Sequence, residues 1–372
     1  MPTPADSGPT TESTPPTTTG TTAVVLLNMG GPDSLDAVEP FLFNLFNDND
    51  IITLPLGGFL LQRPLAKMIS SRRSRHVRDY YKRIGGRSPL AKITGLQARL
   101  LEARLNKGHT GTAGARPYRC YVAMRYWHPF TAEALAKMQG DGVRRIVALT
   151  LYPHYTTATT ESSLRELRRA LCGSADRVGD LAAAEVIEID RFFDDPVYID
   201  ALTRRVRFGL RRFPVESRGR VTLLFSAHGL PVSFIAKGDP YVDHLHTTIT
   251  GIVARLALSE GRLIDWRLSF QSRAGPTRWL EPSTEEALAA LAAEGRREVL
   301  AVPISFVSDH IETLYEIDML FGDEAKRLGL DMRRAPALNG EPLFTEALAG
   351  LVERRLAKAA PVAMQHKSAA PQ

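Results

Sequence analysis

One transition recurs along this chain and constrains its fold more than any other feature: a short apolar run breaks off into a turn rich in Gly, His or hydroxyl side chains. Ala23–Leu27 runs into Asn28-Met29-Gly30-Gly31-Pro32, and Arg145–Leu151 into Tyr152-Pro153-His154-Tyr155. Val221–Phe225 runs into Ser226-Ala227-His228-Gly229-Leu230-Pro231, and the run from Val299 into Ser308-Asp309-His310-Ile311-Glu312. Apolar runs of this length, without polar alternation, read as strands buried on both faces. Helical patterns lie between them, which predicts an α/β fold built on parallel sheet. Ligands of open parallel sheets bind beyond the carboxyl ends of the strands, so the four endings describe one lined site.

The chain also repeats itself loosely. Ala134-Leu135-Ala136-Lys137-Met138, then Gly142-Val143-Arg144-Arg145 and a strand, resembles Ala287-Leu288-Ala289-Ala290-Leu291, then Gly295-Arg296-Arg297-Glu298 and a strand. Each reads as helix, C-terminal Gly, basic pair, strand and site loop. Two similar halves follow. The expected order is an N-terminal extension over 1–22, a first domain over 23–180, a second over 181–342, a closing helix over 343–358 and a tail over 359–372. Small and charged residues between Gly173 and Leu181 mark the boundary, so that Ala184–Ile189 opens the second domain.

At the fourth ending, Asp309, Glu312 and Glu316 are spaced three and four apart and share one face if the segment after Ser308 is helical. His310 diverges from Glu312 on a regular helix and is expected on another wall of the same cavity. The alternative is a capping box, with Asp309 as N-cap and Glu312 bonding back to the backbone. At the third ending His228 supplies an imidazole, which exchanges protons near neutral pH. His228 and Glu312 together suit a hard divalent cation or proton transfer. A structural zinc site would want four close ligands, and a serine nucleophile a Gly-x-Ser-x-Gly elbow. Asn28–Pro32 lacks the glycine spacing of a phosphate or dinucleotide loop.

Composition narrows the class further. With 372 residues, 44% of them hydrophobic, the chain can bury an ordinary core and fill two domains. No stretch reaches the roughly 18 uncharged apolar residues of a membrane span. Residues 1–22 are rich in Thr, Pro and Ser without Arg or Lys, unlike a secretory or transit leader, and read as a disordered extension. Two cysteines, Cys120 and Cys172, fit a reducing cytoplasm and neither a disulfide framework nor a cysteine-held iron–sulfur cluster. The net charge of +6 is uneven: Arg63, Lys67, Arg72, Arg73, Arg75, Arg78, Lys82, Arg83 and Arg87 stand against one acid, Asp79. An apolar run over 51–61 precedes them. This lip and basic segment suit a flat hydrophobic ligand with carboxylate arms, or peripheral contact with an anionic membrane. No nucleic-acid-binding motif accompanies the charge, and nucleic acid is not an expected partner.

The order and spacing of several motifs resemble one family. They are Leu26–Pro32, Tyr81–Gly86 with Ser88-Pro89-Leu90, Arg125-Tyr126-Trp127-His128-Pro129, Tyr152–Tyr155, Ser226–Pro231 and Gly238–Tyr241. Gln271-Ser272-Arg273 with Gly275-Pro276, Trp279-Leu280 and Ser308–Leu314 complete the set. The family is that of the ferrochelatases, which insert ferrous iron into a porphyrin at the end of haem synthesis, and the resemblance extends from residue 23 to residue 357. It implies two similar Rossmann-like domains with the active-site cleft between them. Protoporphyrin IX and ferrous iron are the implied substrates and partners, with iron not held as a cofactor. The resemblance assigns catalysis to His228 and Glu312, and metal ligation to His228, Glu312 and Glu316. It places Met29, Arg125, Tyr126, Trp279, Phe306 and His310 along the macrocycle, with Arg72 or Arg73 near its propionates.

The chemistry asks for such a set. Two pyrrole N–H protons must leave while a cation enters and sheds its water, from a ring bent by binding energy drawn from its periphery. Animal members carry a cysteine-bearing C-terminal segment for an iron–sulfur cluster; the tail here has no cysteine, and neither a cluster nor any permanently bound cofactor is expected. Members that act on coproporphyrin tend to have Tyr in the place of Met29, which points to protoporphyrin. The alternatives are a coproporphyrin ferrochelatase or related tetrapyrrole chelatase and, in another class, a haem or tetrapyrrole carrier, which has no use for a proton acceptor facing a carboxylate.

Overall fold

The computed structural model describes residues 21–48, 59–108, 117–173, 179–273 and 277–359. The N-terminal extension up to residue 20, residues 51–58 of the lip and the tail from residue 360 lie outside them. Among the described residues eight strands form two four-stranded sheets. The first sheet, in the order β2-β1-β3-β4, comprises β1 (Thr22–Asn28), β2 (Tyr118–Met124), β3 (Arg145–Thr150) and β4 (Glu185–Ile189). The second, in the order β6-β5-β7-β8, comprises β5 (Thr222–His228), β6 (Trp266–Gln271), β7 (Glu298–Pro303) and β8 (Asp331–Arg334). Every pairing is parallel, and the second order repeats the first strand for strand. The two halves expected from the sequence are thus topological copies.

Helices α1 (Val38–Phe46), α2 (Phe59–Arg83), α3 (Leu90–Leu105), α4 (Thr131–Gly140) and α5 (Ser162–Leu171) belong to the first half. Helix α6 (Pro196–Leu210) leads to the second, which contains α7 (Val232–Ala236), α8 (Tyr241–Glu260), α9 (Thr284–Ala293) and α10 (Gly322–Arg327) before α11 (Pro342–Ala359). The repeated helix-to-strand joint is real: Gly142 after α4 (φ +65°) and Gly295 after α9 (φ +74°) both take the left-handed backbone that ends a helix cheaply only at Gly.

Strand side chains alternate between two buried faces. Ala23, Val25 and Leu27 of β1 pack with Leu135 and Met138 of α4 and Leu164 and Leu167 of α5. Val24 and Leu26 point the other way, into a core that is not private to the first half. It runs on through Leu223 and Phe225 of β5, Leu300 and Val302 of β7, Val206 of α6 and Val352 of α11. A fully buried Val or Leu contributes about 1.5–3 kcal/mol, so this shared core holds the two sheets in a fixed relation.

The change of sheet comes later than the sequence led us to expect. Glu185–Ile189, assigned above to the start of the second domain, pairs with β3 from Arg145↔Glu185 to Leu149↔Ile189 and forms the edge of the first sheet. Its charged residues are those of an edge strand kept soluble, and Glu185 is paired with Arg145 at 2.6 Å. The closing helix α11 likewise returns to the first half, lying against α3, α6 and β4. Arg104 of α3 holds it through Glu346 (2.6 Å) and Glu353 (3.1 Å), and Arg354 reaches Asp195, the N-cap of α6.

Candidate active site

The carboxyl ends of β5, β6 and β7 meet in the second half. His228 is the last residue of β5 and pairs in register with Gln271 of β6. Gly229 donates its N–H to the Gln271 carbonyl at 2.8 Å, and a Cβ on Gly229 would fall 2.7 Å from that oxygen, so a side chain here would drive the two strand ends apart. The backbone of His228 is pinned on both sides: its N–H lies 3.3 Å from Ser305 Oγ, and the Tyr241 hydroxyl donates to its carbonyl at 3.0 Å.

Beyond β7 the chain enters a π-helix over Glu312–Phe321. Such wide turns are rare and concentrate at functional sites. The turn before it is heavily anchored, and here two expectations fail. Asp309 does not join a stripe with Glu312 and Glu316; it accepts from Arg334 (2.8 Å), from the Asn339 side chain (2.7 Å) and from the Thr313 hydroxyl (3.1 Å). His310 does not diverge from Glu312 either. It precedes the helix, and its Nε2 stands 3.6 Å from Glu312 Oε1. The loop is also tied to the first half, since Gln97 of α3 donates to Ser308 Oγ (3.0 Å) and the Asn339 carbonyl (2.9 Å).

Among the described residues the Glu312 carboxylate caps no backbone group. Its Oε2 lies 2.8 Å from His228 Nδ1 and 2.8 Å from Ser272 Oγ. Ser272 is also 2.6 Å from Glu316 Oε2, which accepts from Gln271 Nε2 at 3.1 Å. A hydroxyl has one proton for two carboxylate oxygens, so a proton on Glu316 completes the set. Ser272 occupies left-handed backbone (φ +63°), unusual for a residue with a side chain and costing about 1–3 kcal/mol. His228, Glu312 and Glu316 are thus connected in a line through Ser272 rather than converged on a point. Among the described residues no group of three or more His, Cys, Asp or Glu side chains is placed to hold a metal ion.

Burial and neighbouring charge set the protonation preferences. Burial raises Glu316, the Glu312 charge adds to it, and together they push its carboxyl up to about 7. Burial would raise Glu312 as well, but the His228 charge and hydrogen bond, helped by His310, hold it well below the ordinary carboxylate range. Burial alone would lower His228; the Glu312 charge and hydrogen bond, with Glu316 behind them, outweigh that and raise its proton affinity.

The structure distributes the other expected site residues unevenly. Phe306 sets its ring edge-on to His310 (4.4 Å) and His228 (6.4 Å). Trp279 bridges to Pro231 and lies beside Gly229, next to the His228 strand end. Met29 packs on a small cluster containing Tyr81 and Tyr126, which Ile311 of the second half also touches. Tyr126 itself is only 3% exposed, and its hydroxyl is 2.7 Å from Asp48 Oδ2. Arg125 reaches the same carboxylate at 2.9 Å and Ser162 Oγ at 3.0 Å. Arg73 sits over the Phe46 ring at 5.6 Å, while Arg72 is exposed on α2. His154 belongs to the interior, bonded to Thr248 at 3.1 Å.

Ser272, Gln271 and Tyr241 lie in motifs that carry the family resemblance but are given no role by the sequence, and Asp48 is not singled out by it at all. The first two close β6, whose ending Phe270-Gln271-Ser272 is another apolar-to-polar break of the kind used to find the site. Asp48 carries no local signal, because its partners Arg125, Tyr126 and Ser162 lie far away in sequence.

A family model described as Ferrochelatase matches residues 21–356. The ferrochelatase of Geotalea daltonii is 53% identical over 89% of this chain and 97% of its own length, and that of Geotalea uraniireducens 49% over 90% and 97%. Among solved structures, SirB from Bacillus subtilis with Fe3+ is a looser likeness, 13% identical with a TM-score of 0.49 over 91% of this chain and 97% of its own. With a family match across nearly the whole described chain and relatives of this identity covered almost end to end, the chain belongs to the ferrochelatase family.

Proposed function

We propose that this chain inserts ferrous iron into protoporphyrin IX, yielding protohaem and two protons, and that His228 and Glu312 carry the chemistry. The single observation behind the residue assignment is the 2.8 Å contact between His228 Nδ1 and Glu312 Oε2. An ionised carboxylate can only accept, so Nδ1 carries the hydrogen and Nε2 of a neutral His228 holds the free lone pair. Glu312 raises the basicity of that nitrogen and compensates the imidazolium formed when it takes a pyrrole proton. Ser272 and Glu316 continue the hydrogen-bonded line and supply a second station for a proton. The same three side chains, His228, Glu312 and Glu316, offer nitrogen and hard oxygen donors to an iron in transit.

Arg125, Trp279, Phe306, His310 and Met29 form the proposed porphyrin wall, with Arg72 or Arg73 at the propionates. Asp48 fixes Arg125, and buried Tyr126 backs it. Met29 is consistent with protoporphyrin. We propose no resident cofactor: an iron–sulfur cluster wants four thiolates, whereas the chain holds two cysteines, Cys120 in β2 and Cys172 just after α5. Among the described residues no helix is long and apolar enough to cross a membrane. The basic face of α2, following the apolar run 51–61, supports peripheral contact with an anionic membrane from the cytoplasm.

Anaerobic mixing of the protein with ferrous iron and protoporphyrin IX tests the reading. Loss of porphyrin fluorescence with formation of haem is expected, faster than with coproporphyrin. Tight porphyrin binding without turnover would return the carrier alternative, and faster use of coproporphyrin would overturn the substrate choice.

A further inference from the structure

A cavity lies on the outer side of α6. Tyr198, Leu202, Val206 and Leu210 of this helix are buried in the shared core. On the other side Asp200, Arg204, Arg207, Phe208 and Arg211 recur at helical spacing. With Arg205, Arg255 of α8 and Glu341 before α11 they line a cavity of about 680 Å³, within the range of small-molecule sites. The C-terminal half of α6 leads toward the amino end of β5, whereas His228 closes the carboxyl end, so this cavity is separate from the candidate active site.

Its electrostatics are unbalanced. Five guanidinium groups and two carboxylates line it, leaving three positive charges in excess. Both carboxylates are already engaged: Glu341 lies between Arg205 (3.1 Å) and Arg204 (3.4 Å), and Asp200 is paired with Arg255. Arg207 meets Glu260 only at 4.0 Å, and the Arg211 guanidinium has no acceptor among the described residues. Arg204, Arg207 and Arg211 sit three and four residues apart, where like charges repel, and an anion between them removes that repulsion. Phe208, 55% exposed, is the one aromatic side chain among the described lining residues, and the Arg205 guanidinium lies 5.9 Å from its ring centroid.

We propose that this cavity binds a nucleoside polyphosphate, its phosphate oxygens on Arg204, Arg207 and Arg211 and its base stacked on Phe208. Guanidinium forks match phosphate oxygens in pairs and stay charged at any physiological pH. A carboxylated macrocycle fits less well, because so broad an apolar face would meet a single ring among seven charged groups.

Titration calorimetry of the full chain with ADP, pyrophosphate, adenosine and protoporphyrin IX tests the proposal. ADP and pyrophosphate should bind and adenosine should not. R207Q/R211Q should weaken ADP by about tenfold or more, Phe208→Ala should weaken ADP but not pyrophosphate, and His228→Ala should leave both unchanged. Silence toward ADP and pyrophosphate overturns the proposal. So do parental affinity in R207Q/R211Q, adenosine binding as tight as ADP, and displacement of ADP by protoporphyrin that R207Q/R211Q abolishes.

Discussion

His228 Nδ1 and Glu312 Oε2 meet at 2.8 Å across 84 residues of chain. The contact exists because β5 and β7 are hydrogen-bonded neighbours whose carboxyl ends open on the same side. The imidazole closes β5 and the carboxylate opens the π-helix that follows β7, so one sheet sets the separation of the two groups.

Replacing His228 by Ala should spare the fold. The side chain is 36% exposed, so its loss leaves no sealed core cavity. We expect porphyrin affinity close to the parent and iron insertion lower by about a hundredfold or more, as for loss of a positioned proton acceptor. Fluorescence titration and insertion rate, measured on the same preparation, check this; insertion within a few-fold of the parent would remove His228 from catalysis.

Asp48 should matter more for stability than any residue of the His228 line. Its buried carboxylate serves Arg125, Tyr126 and Ser162 at once. Asp48→Ala leaves a largely buried guanidinium and a buried phenol without their shared acceptor, a loss of about 3 kcal/mol. Urea unfolding should show it, together with weaker porphyrin binding as Arg125 loses its anchor. An unchanged midpoint would contradict this role.

Burial, with the nearby His244 adding to it, holds His154 neutral down to about pH 3, well below its ordinary value. The unfolded chain takes up the proton near pH 6.5, so the stabilising contribution is complete above 6.5 and is lost as pH falls from there toward 3. The slope is about 1.4 kcal/mol per pH unit over that window. His154→Gln can keep the bond to Thr248 and cannot titrate, so its stability should fall less steeply between pH 6.5 and 4. Parallel curves for parent and variant would count against the burial argument.

Much of this was legible in the sequence, and the failures share a cause. Strands β1, β3, β5 and β7 are legible because a strand covered on both faces is continuously apolar; the edge strands β2, β6 and β8 lack that signal, and β4, also at an edge, mixes Glu with Val and Ile and belongs to the first sheet rather than the second. That His228, Glu312 and Glu316 lie near one another, as the hydrogen bonds through Ser272 show, is legible because strand endings expose polar groups in order. Asp309 and His310 were misplaced because regular helical spacing was assumed from Ser308 onward, while the chain makes a tightly bonded turn and then a π-helix. The pattern of side chains that signals an α-helix does not signal where the wider turn will begin.

Ser272 offers a way to separate strain from chemistry. Ser272→Ala and Ser272→Gly both remove the hydroxyl between Glu312 and Glu316, and both should lower insertion by on the order of tenfold. Only Gly suits the φ of +63° without strain, so Ser272→Gly should be more stable than Ser272→Ala by about 1 kcal/mol. Equal stability would argue that the left-handed backbone costs nothing here, and undiminished insertion by both would exclude the hydroxyl from the proton line.

The most direct test of the account is the insertion of ferrous iron into protoporphyrin IX by a double-mutant cycle of His228→Ala and Glu312→Gln. If the two side chains act as one unit, each single variant should lose about a hundredfold or more in kcat/KM and the double variant little beyond the worse single one. Losses that multiply, or a Glu312→Gln variant that turns over near the parental rate, would contradict the central claim.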